Sequence, residues 1–254
     1  MDALAAWHRG HRAFYDAMAT AAPGARVVDL APGVACSVVP TAPQRSLPNG
    51  VMVQEAEALA AALPAIRALY VDAGVRAWTV WVGPGRDELR AVCEQAGLVH
   101  DGAPVLMHAP IAELTLDPAL DCDVVEDGPA APVFAINDAA YGLPAEAGFA
   151  AAFTQELGLG MHRLVAVRDG RPVACACWTL AEGDAFITLV AVLPDARGGG
   201  LSRRLMSLAL QRAQDEGAET TTLEASAMGY PVYARMGYAD LGPTGLWESR
   251  VTTS

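Results

Sequence analysis

Three glycines and a set of arginines share one turn of this 254-residue chain. Gly198, Gly199 and Gly200 follow an apolar, β-branched run of strand length, 186–193, which Pro194 ends because proline offers a β-ladder no N–H. Leucines at helical spacing come directly after the glycines and predict a helix there. A strand, a tight glycine turn and a helix in this order aim backbone N–H groups and the positive end of the helix dipole at one point. We therefore expect a phosphate-binding site at this turn.

Two common phosphate loops do not fit this turn. A P-loop ends in Gly-Lys-Ser/Thr, and all 17 basic residues of this chain are arginines. A dinucleotide fingerprint reads Gly-x-Gly-x-x-Gly, but counting from Gly198 puts Arg203 at the third glycine position, and counting from Gly199 gives no match either. The turn therefore belongs to another class of phosphate site.

Residues 197–202 read Arg-Gly-Gly-Gly-Leu-Ser and resemble the acyl-CoA loop of the GNAT superfamily of N-acetyltransferases, Arg/Gln-x-x-Gly-x-Gly/Ala. Residues 190–194, Val-Ala-Val-Leu-Pro, precede the loop in a family-like way. Ser202 stands where the family usually has glycine or alanine, and a serine is still small enough for a ligand to approach closely.

Residues 223–238 resemble the second GNAT signature, which is a strand followed by Asn-x-x-Ala-x-x-Leu-Tyr-x-x-x-Gly-Phe. Ser226 takes the place of the asparagine, and the tyrosine is Tyr233. Two signatures in order, about a helix and a turn apart, are far more specific than either alone. The other matches are Gly229 for the alanine, Val232 for the leucine, Gly237, and Tyr238 for the phenylalanine.

The resemblance implies how an acyl-CoA would be held. The pantetheine arm would bond the backbone of Val190 and Val192, and the pyrophosphate would sit on the amides of 197–202, with added charge from Arg197. The N–H of Val192 would stabilise the oxyanion, and Tyr233 would protonate the departing CoA thiol. The implied acyl-CoA-binding residues are Val190, Ala191, Val192, Arg197, Gly198, Gly199, Gly200, Leu201, Ser202, Ser226 and Tyr233.

The general base is not given by the signatures. Family members often carry a glutamate on the fourth strand of the module, where this chain has Thr188 and Leu189. We predict that Glu224, on the fifth strand, is the catalytic base. The alternatives are Asp184 in the preceding turn, Glu182, His162 and a chain of water molecules.

The elements around these motifs follow the order of a GNAT module over residues 120–254. Hydrophobic periods predict a strand, two helices (the second at 147–157), three antiparallel strands, a helix, a strand, a helix and final strands. Asp169-Gly170 marks a hairpin within this order. The resemblance is firmest over 160–240.

Residues 1–115 show the same coarse order without the signatures, and the turn after Trp81, 83–86, lacks the loop arrangement. We therefore predict a tandem-GNAT layout, with a degenerate N-terminal domain at 1–115 and a catalytic, acyl-CoA-binding domain at 120–254. An acidic, proline-bearing stretch, 116–132, marks the boundary. The fold class is α/β (α+β): two GNAT-like modules, each a mixed, mostly antiparallel sheet flanked by helices.

Composition limits the partners. A net charge of −12 argues against nucleic acid and suits a cationic acceptor. Five scattered cysteines without a Cys-x-x-Cys pair predict no disulfide framework and no metal. No leader and no run of 18 apolar residues is found, which predicts a cytoplasmic protein without a membrane partner, as a monomer or homodimer.

Together these features predict transfer of an acetyl group from acetyl-CoA to a primary amine of a small molecule, by direct attack in a ternary complex. Two alternatives stay open: a non-catalytic acyl-CoA-binding or regulatory module, and transfer to a hydroxyl or from a longer acyl-CoA. Trp78, Trp81 and the loop 40–50 are candidates for shaping the acceptor pocket. His8 and His11 are assigned no role, and Arg203 and Arg204 are expected on a solvated helix face.

Overall fold

The computed structural model describes residues 2–144, 148–158 and 160–250. The first helix begins where the Asp2 carboxylate accepts the N–H of Leu4 at 3.0 Å, which caps one of the free amides of its first turn. The helices are α1 (Ala3–Thr20), α2 (Ala56–Asp72), α3 (Asp87–Gln95), α4 (Ala131–Tyr141), α5 (Phe149–Ala152), α6 (Leu201–Asp215) and α7 (Tyr230–Met236).

The strands form two mixed, mostly antiparallel sheets, as the sequence predicts. They are β1 (Arg26–Ala31), β2 (Val34–Val38), β3 (Gly50–Val53), β4 (Ala77–Val82), β5 (Val99–Gly102), β6 (Val105–Pro110), β7 (Asp123–Glu126), β8 (His162–Arg168), β9 (Arg171–Ala181), β10 (Asp184–Val192), β11 (Thr220–Ala225), β12 (Ala239–Pro243) and β13 (Gly245–Arg250).

Each sheet contains one parallel pair joined by a helix. The first sheet has the order β1-β2-β3-β4-β13-β5, with β3 and β4 parallel and α2 between them in the chain. The second has the order β12-β6-β11-β10-β9-β8-β7, with β10 and β11 parallel and α6 between them. The two β-α-β units are therefore counterparts.

The counterpart of the glycine loop in the first sheet is the connection from β3 to α2, not the turn after Trp81 that the sequence analysis compared with it. This connection consists of Gln54 and Glu55, and it has no glycine. The strand-by-strand order of the module could not be fixed from periodicity alone, because β3, the first strand of the parallel pair, is only four residues long. The first half therefore has no glycine cradle at this connection.

The two sheets exchange a strand. β6, from the N-terminal half, pairs with β11 and β12 in the second sheet, while β13, at the C-terminal end, pairs with β4 and β5 in the first. Helix α1 packs against β9, β10 and β11 of the second sheet as well as against β1 and β2. Sheet membership therefore crosses the boundary predicted at 115–120, and the division into two domains stays a prediction.

The parallel pair of the second sheet opens partway along its length. β10 and β11 pair from Asp184–Thr220 to Ile187–Leu223 and no further. Beyond that point β10 contains a bulge: its register with β9 shifts between Thr188 and Ala191, and Leu189 has a φ of 49°. The opening therefore leaves one edge of β10 unpaired over its last residues.

Helix α5 is shorter than predicted. The sequence pattern gives a helix at 147–157, whereas α5 spans Phe149–Ala152, and residue 147 lies outside the described residues. The Asp138 carboxylate accepts the N–H groups of Phe149 and Ala150, both at 2.8 Å, and thereby fixes this single turn. No helix within 2–144, 148–158 and 160–250 is long and apolar enough to cross a membrane.

Gly10 allows the close approach of α1 to β10. A Cβ at residue 10 would lie 2.4 Å from the Cβ of Phe186. Alanine in a helix interior is normally more stable than glycine by about 0.5–1 kcal/mol. Here we expect the reverse: overpacking in Gly10→Ala should lower the free energy of unfolding by about 1–3 kcal/mol, measured by urea denaturation.

Gly199→Ala is the matched control, because its Cβ would meet nothing within 4 Å. We expect this variant to unfold within about 0.5 kcal/mol of the unmodified protein. A Gly10→Ala protein as stable as the unmodified one would contradict the close packing of α1 on β10.

Candidate active site

A cavity of about 1270 Å³ lies where β10 and β11 separate. It exceeds the ~300–1,000 Å³ of a typical site for one small molecule, so two substrates have room there. Residues from both halves line it, including His11 of α1, Arg45 from the loop before β3, and Trp81 of β4. Of the predicted acyl-CoA-binding residues, all but Gly199 line this cavity.

The glycine turn forms an open cradle at one end of the cavity. Gly198 and Gly200 have φ values of 91° and 75°, which side-chain-bearing residues rarely adopt, and added Cβ atoms would meet nothing within 4 Å. Helix α6 begins at Leu201 with no acidic side chain in its first turn and no side-chain cap. Its free N–H groups and dipole therefore favour an anion here.

The arginines around the turn are engaged with protein groups. Arg197 donates from Nε to the Val192 carbonyl at 3.1 Å and from Nη2 to the Ala140 carbonyl at 2.8 Å. Arg203 also lines the cavity and donates to the Asp117 carboxylate at 2.5 Å. Arg197 thus ties the turn to α4, while its charge stays beside the glycines.

The edge of β10 offers a backbone donor to the cavity. The N–H of Leu193 donates to the Val173 carbonyl of β9 at 2.9 Å. Because N–H groups alternate in direction along a strand, the N–H of Val192 points to the opposite edge, where β11 has separated. Val190 and Val192 are half-buried and line the cavity.

Tyr233 lies on α7 with its ring buried at the cavity wall. Burial raises the pKa of the Tyr233 phenol well above 10. The packing around it is close, since a Cβ at Gly229 would lie 2.9 Å from the ring. Ser226 accepts the Gly229 N–H at 3.2 Å and shapes the turn before α7. The phenol is therefore protonated at neutral pH.

Glu224 lies just beyond the point where β10 and β11 separate, and two side chains of α1 hold it. Its Oε1 accepts the Trp7 Nε1–H at 3.1 Å, and its Oε2 lies 3.0 Å from His11 Nε2. Because a carboxylate only accepts, the His11 ring donates through Nε2. Glu224 carries the only carboxylate among the described residues that line the cavity.

The other candidate bases lie elsewhere. Asp184 is buried and accepts the hydroxyls of Thr220 and Thr222, and burial raises the pKa of its carboxyl. Glu182 is exposed in a turn, and His162 pairs with carboxylates on the surface. None of these three candidates lines the cavity.

His11 and Trp7 are the site residues that sequence reasoning missed. Both are buried, and their four-residue spacing on α1 puts them on one helix face. That spacing was visible, but the strand they contact belongs to the other half of the chain. Of the residues suggested for the acceptor pocket, Trp81 lines the cavity. Trp78 instead stacks on Tyr70 in the hydrophobic core of the first sheet, with ring centroids 5.3 Å apart.

Comparison with known proteins agrees with this architecture. Residues 132–238 match the model of the Acetyltransferase (GNAT) family. No curated protein sequence matches the chain.

Solved structures share the fold over most of the chain. A GCN5-related N-acetyltransferase from Kribbella flavida is similar with a TM-score of 0.68 at 19% identity, covering 98% of this chain and 95% of that one. One from Sphaerobacter thermophilus has a TM-score of 0.57 at 13% identity, covering 87% and 78%. A tandem GNAT protein from the clavulanic acid biosynthesis pathway has a TM-score of 0.56 at 18% identity, covering 87% and 79%.

These findings confirm the predicted family and fold class. The matched segment contains both signatures and the strand opening, and the two sheets correspond to two modules. Residues 132–238 thus match the GNAT acetyltransferase family, and the chain shares its two-sheet fold with a tandem GNAT protein.

Proposed function

We propose that the protein transfers an acetyl group from acetyl-CoA to a primary amine of a small molecule, by direct attack in a ternary complex. The observation that carries this proposal is the single cavity that joins the glycine cradle, the phenol of Tyr233 and the carboxylate of Glu224. An anion site, an acid and a base are the groups that acyl transfer from a thioester to an amine requires.

The donor would occupy the end formed by the GNAT domain. The pyrophosphate would rest on the amides of residues 198–202, beside Arg197, and the pantetheine arm would run along the open edge of β10 at Val190 and Val192. Ala191, Leu201 and Ser226 line the same end of the cavity.

Glu224 would act as the base of the reaction and Tyr233 as the acid. Glu224 would take a proton from the ammonium form of the amine, whose nitrogen lone pair then attacks the thioester carbonyl carbon, and the N–H of Val192 would donate to the oxyanion. Collapse breaks the carbon–sulfur bond, Tyr233 would give its proton to the thiolate, and the phenolate would take a proton from the nitrogen of the new amide. Burial keeps the phenol protonated until the thiolate forms.

The two predicted domains would then have different tasks. The domain at 120–254 would hold the donor, and the degenerate domain at 1–115 would supply α1 and one wall of the acceptor site. The short connection of Gln54 and Glu55 supports the absence of an acyl-CoA site in the first domain. It contains no glycine, and Glu55 carries a carboxylate there.

Ser202 offers a test of the donor site. Acetyl-CoA at a hundred times its Kd should stabilise the protein by about 2.7 kcal/mol, seen as a higher Tm. Ser202→Asp places a negative charge in the first turn of α6, where it favours the helix but repels a pyrophosphate. We expect at least about tenfold weaker acetyl-CoA binding, since close like charges cost more than ~1 kcal/mol.

The neutral, similarly shaped Ser202→Asn is the control and should keep most of the Tm shift. Equal shifts in the two variants would place the pyrophosphate elsewhere. No shift in the unmodified protein at millimolar acetyl-CoA would contradict the proposed function itself.

Tyr233→Phe tests the acid. Without its proton donor, kcat for release of CoA thiol should fall by about 10²-fold or more, while acetyl-CoA affinity stays within a factor of about two, because only one hydroxyl is removed. Tyr230→Phe is the matched control on the same helix, since the Tyr230 hydroxyl bonds Asp240 and does not line the cavity. An unchanged kcat in Tyr233→Phe would remove the phenol from the mechanism.

Glu224→Gln tests the base. The amide oxygen can still accept the Trp7 N–H, so the fold should persist, but no base is left. We expect kcat/KM for the amine to fall by about 10²-fold. Glu182→Gln, at an exposed turn outside the cavity, should behave like the unmodified protein. An unchanged kcat/KM in Glu224→Gln would contradict this assignment.

A further inference from the structure

Aromatic side chains wall the part of the cavity next to Glu224. Phe14 and Tyr15 of α1 present adjacent rings with centroids 5.2 Å apart. Trp81 of β4 and Phe186 of β10 each lie against the His11 ring, at 4.6 and 5.1 Å between centroids. All four line the cavity, and three of them come from the N-terminal half.

The polar atoms of this wall are used within the protein. Trp81 Nε1 donates to the Tyr15 hydroxyl at 2.8 Å, and that hydroxyl donates to the Leu47 carbonyl at 2.9 Å. Trp7 Nε1 is bonded to Glu224. A polar group of a substrate placed against the wall would therefore lose water and find few partners, whereas an apolar group would gain by burial.

Two side chains of opposite charge, Glu224 and Arg45, line the acceptor region. Glu224 supplies the one carboxylate of the described lining, and aromatic faces beside it also attract a cation. Arg45, farther along, holds its guanidinium 5.9 Å from the centroid of the Phe149 ring. A second ammonium at the far end of the substrate would lose water against the aromatic wall and find no further carboxylate among the described lining residues.

We propose that the acceptor is a singly charged primary amine on a short chain that carries an aromatic or comparably bulky apolar body. This inference rests on the proposed function. The ammonium lies at Glu224 and the apolar body against Phe14 and Trp81. Glu224 takes one proton from the ammonium, the nitrogen bonds the carbonyl carbon, and collapse of the oxyanion breaks the carbon–sulfur bond. The leaving thiolate takes the proton of Tyr233, and the phenolate recovers a proton from the new amide nitrogen, which yields the amide and CoA.

A matched pair of amines tests the proposal. 2-Phenylethylamine and ethanolamine share the aminoethyl group and differ in phenyl against hydroxyl. With acetyl-CoA saturating, we expect kcat/KM for release of CoA thiol to be at least about tenfold higher for phenylethylamine, the effect of burying one ring. 1,6-Diaminohexane, with two charges, should be a poorer substrate than hexylamine.

A variant of the wall links the preference to this site. Phe14→Leu should lower the phenylethylamine-to-ethanolamine ratio several-fold while acetyl-CoA still raises the Tm. Phe134→Leu is the matched control, because Phe134 is fully buried in the hydrophobic core of the second sheet and does not line the cavity. Its ratio should equal that of the unmodified protein.

The outcomes distinguish a failure of the proposed acceptor class from a failure of the proposed function. If acetyl-CoA binds but ethanolamine or diaminohexane reacts as well as its apolar partner, or if none of the apolar amines reacts, the acceptor class is wrong while the donor site stands. An unchanged ratio in Phe14→Leu would also overturn it. If acetyl-CoA fails to raise the Tm, the proposed function fails and this inference fails with it.

Discussion

The separation of β10 from β11 is the constraint on which the site depends. The two strands pair as far as Ile187 and Leu223, and the bulge at Leu189 then turns the edge of β10 toward open space. A continued ladder would use those N–H groups internally and close the cavity. The opening instead leaves the Val192 amide, the glycine cradle and the start of α7 facing one volume. In the first sheet the corresponding connection is two residues long, without a glycine.

Helix α1 makes the site a joint product of both halves. It lies between the sheets, and Gly10 allows its backbone to approach Phe186 closely. From this position Trp7 and His11 bind the two oxygens of Glu224, which belongs to the other half. The exchange of β6 and β13 between the sheets adds a second link. The N-terminal half therefore contributes one wall of the cavity and the two side chains that hold Glu224.

Local chemistry made the glycine turn predictable, and distance in sequence hid the surroundings of Glu224. The glycine turn at 198–200 needs positive φ and a following helix, so its residues carry their own structural meaning. Glu224 was predicted to be the base only from its position on the fifth strand of the module. The contact with His11 joins residues that are 213 positions apart, and no period or motif reports such a contact. For a similar reason, the turn after Trp81 and not the β3–α2 connection was compared with the glycine loop. The pairing partners of short strands such as β3 are set by tertiary structure.

A crystal structure with acetyl-CoA bound would test the central claim most directly. The account predicts phosphate oxygens on the amides of residues 198–202 and the thioester carbonyl at the Val192 N–H. The carbonyl carbon should leave room for an amine nitrogen at about 3–3.5 Å from it and within hydrogen-bond reach of Glu224. Acetyl-CoA bound at the β3–α2 connection of the first half, or with its thioester directed away from Glu224 and Tyr233, would contradict the account.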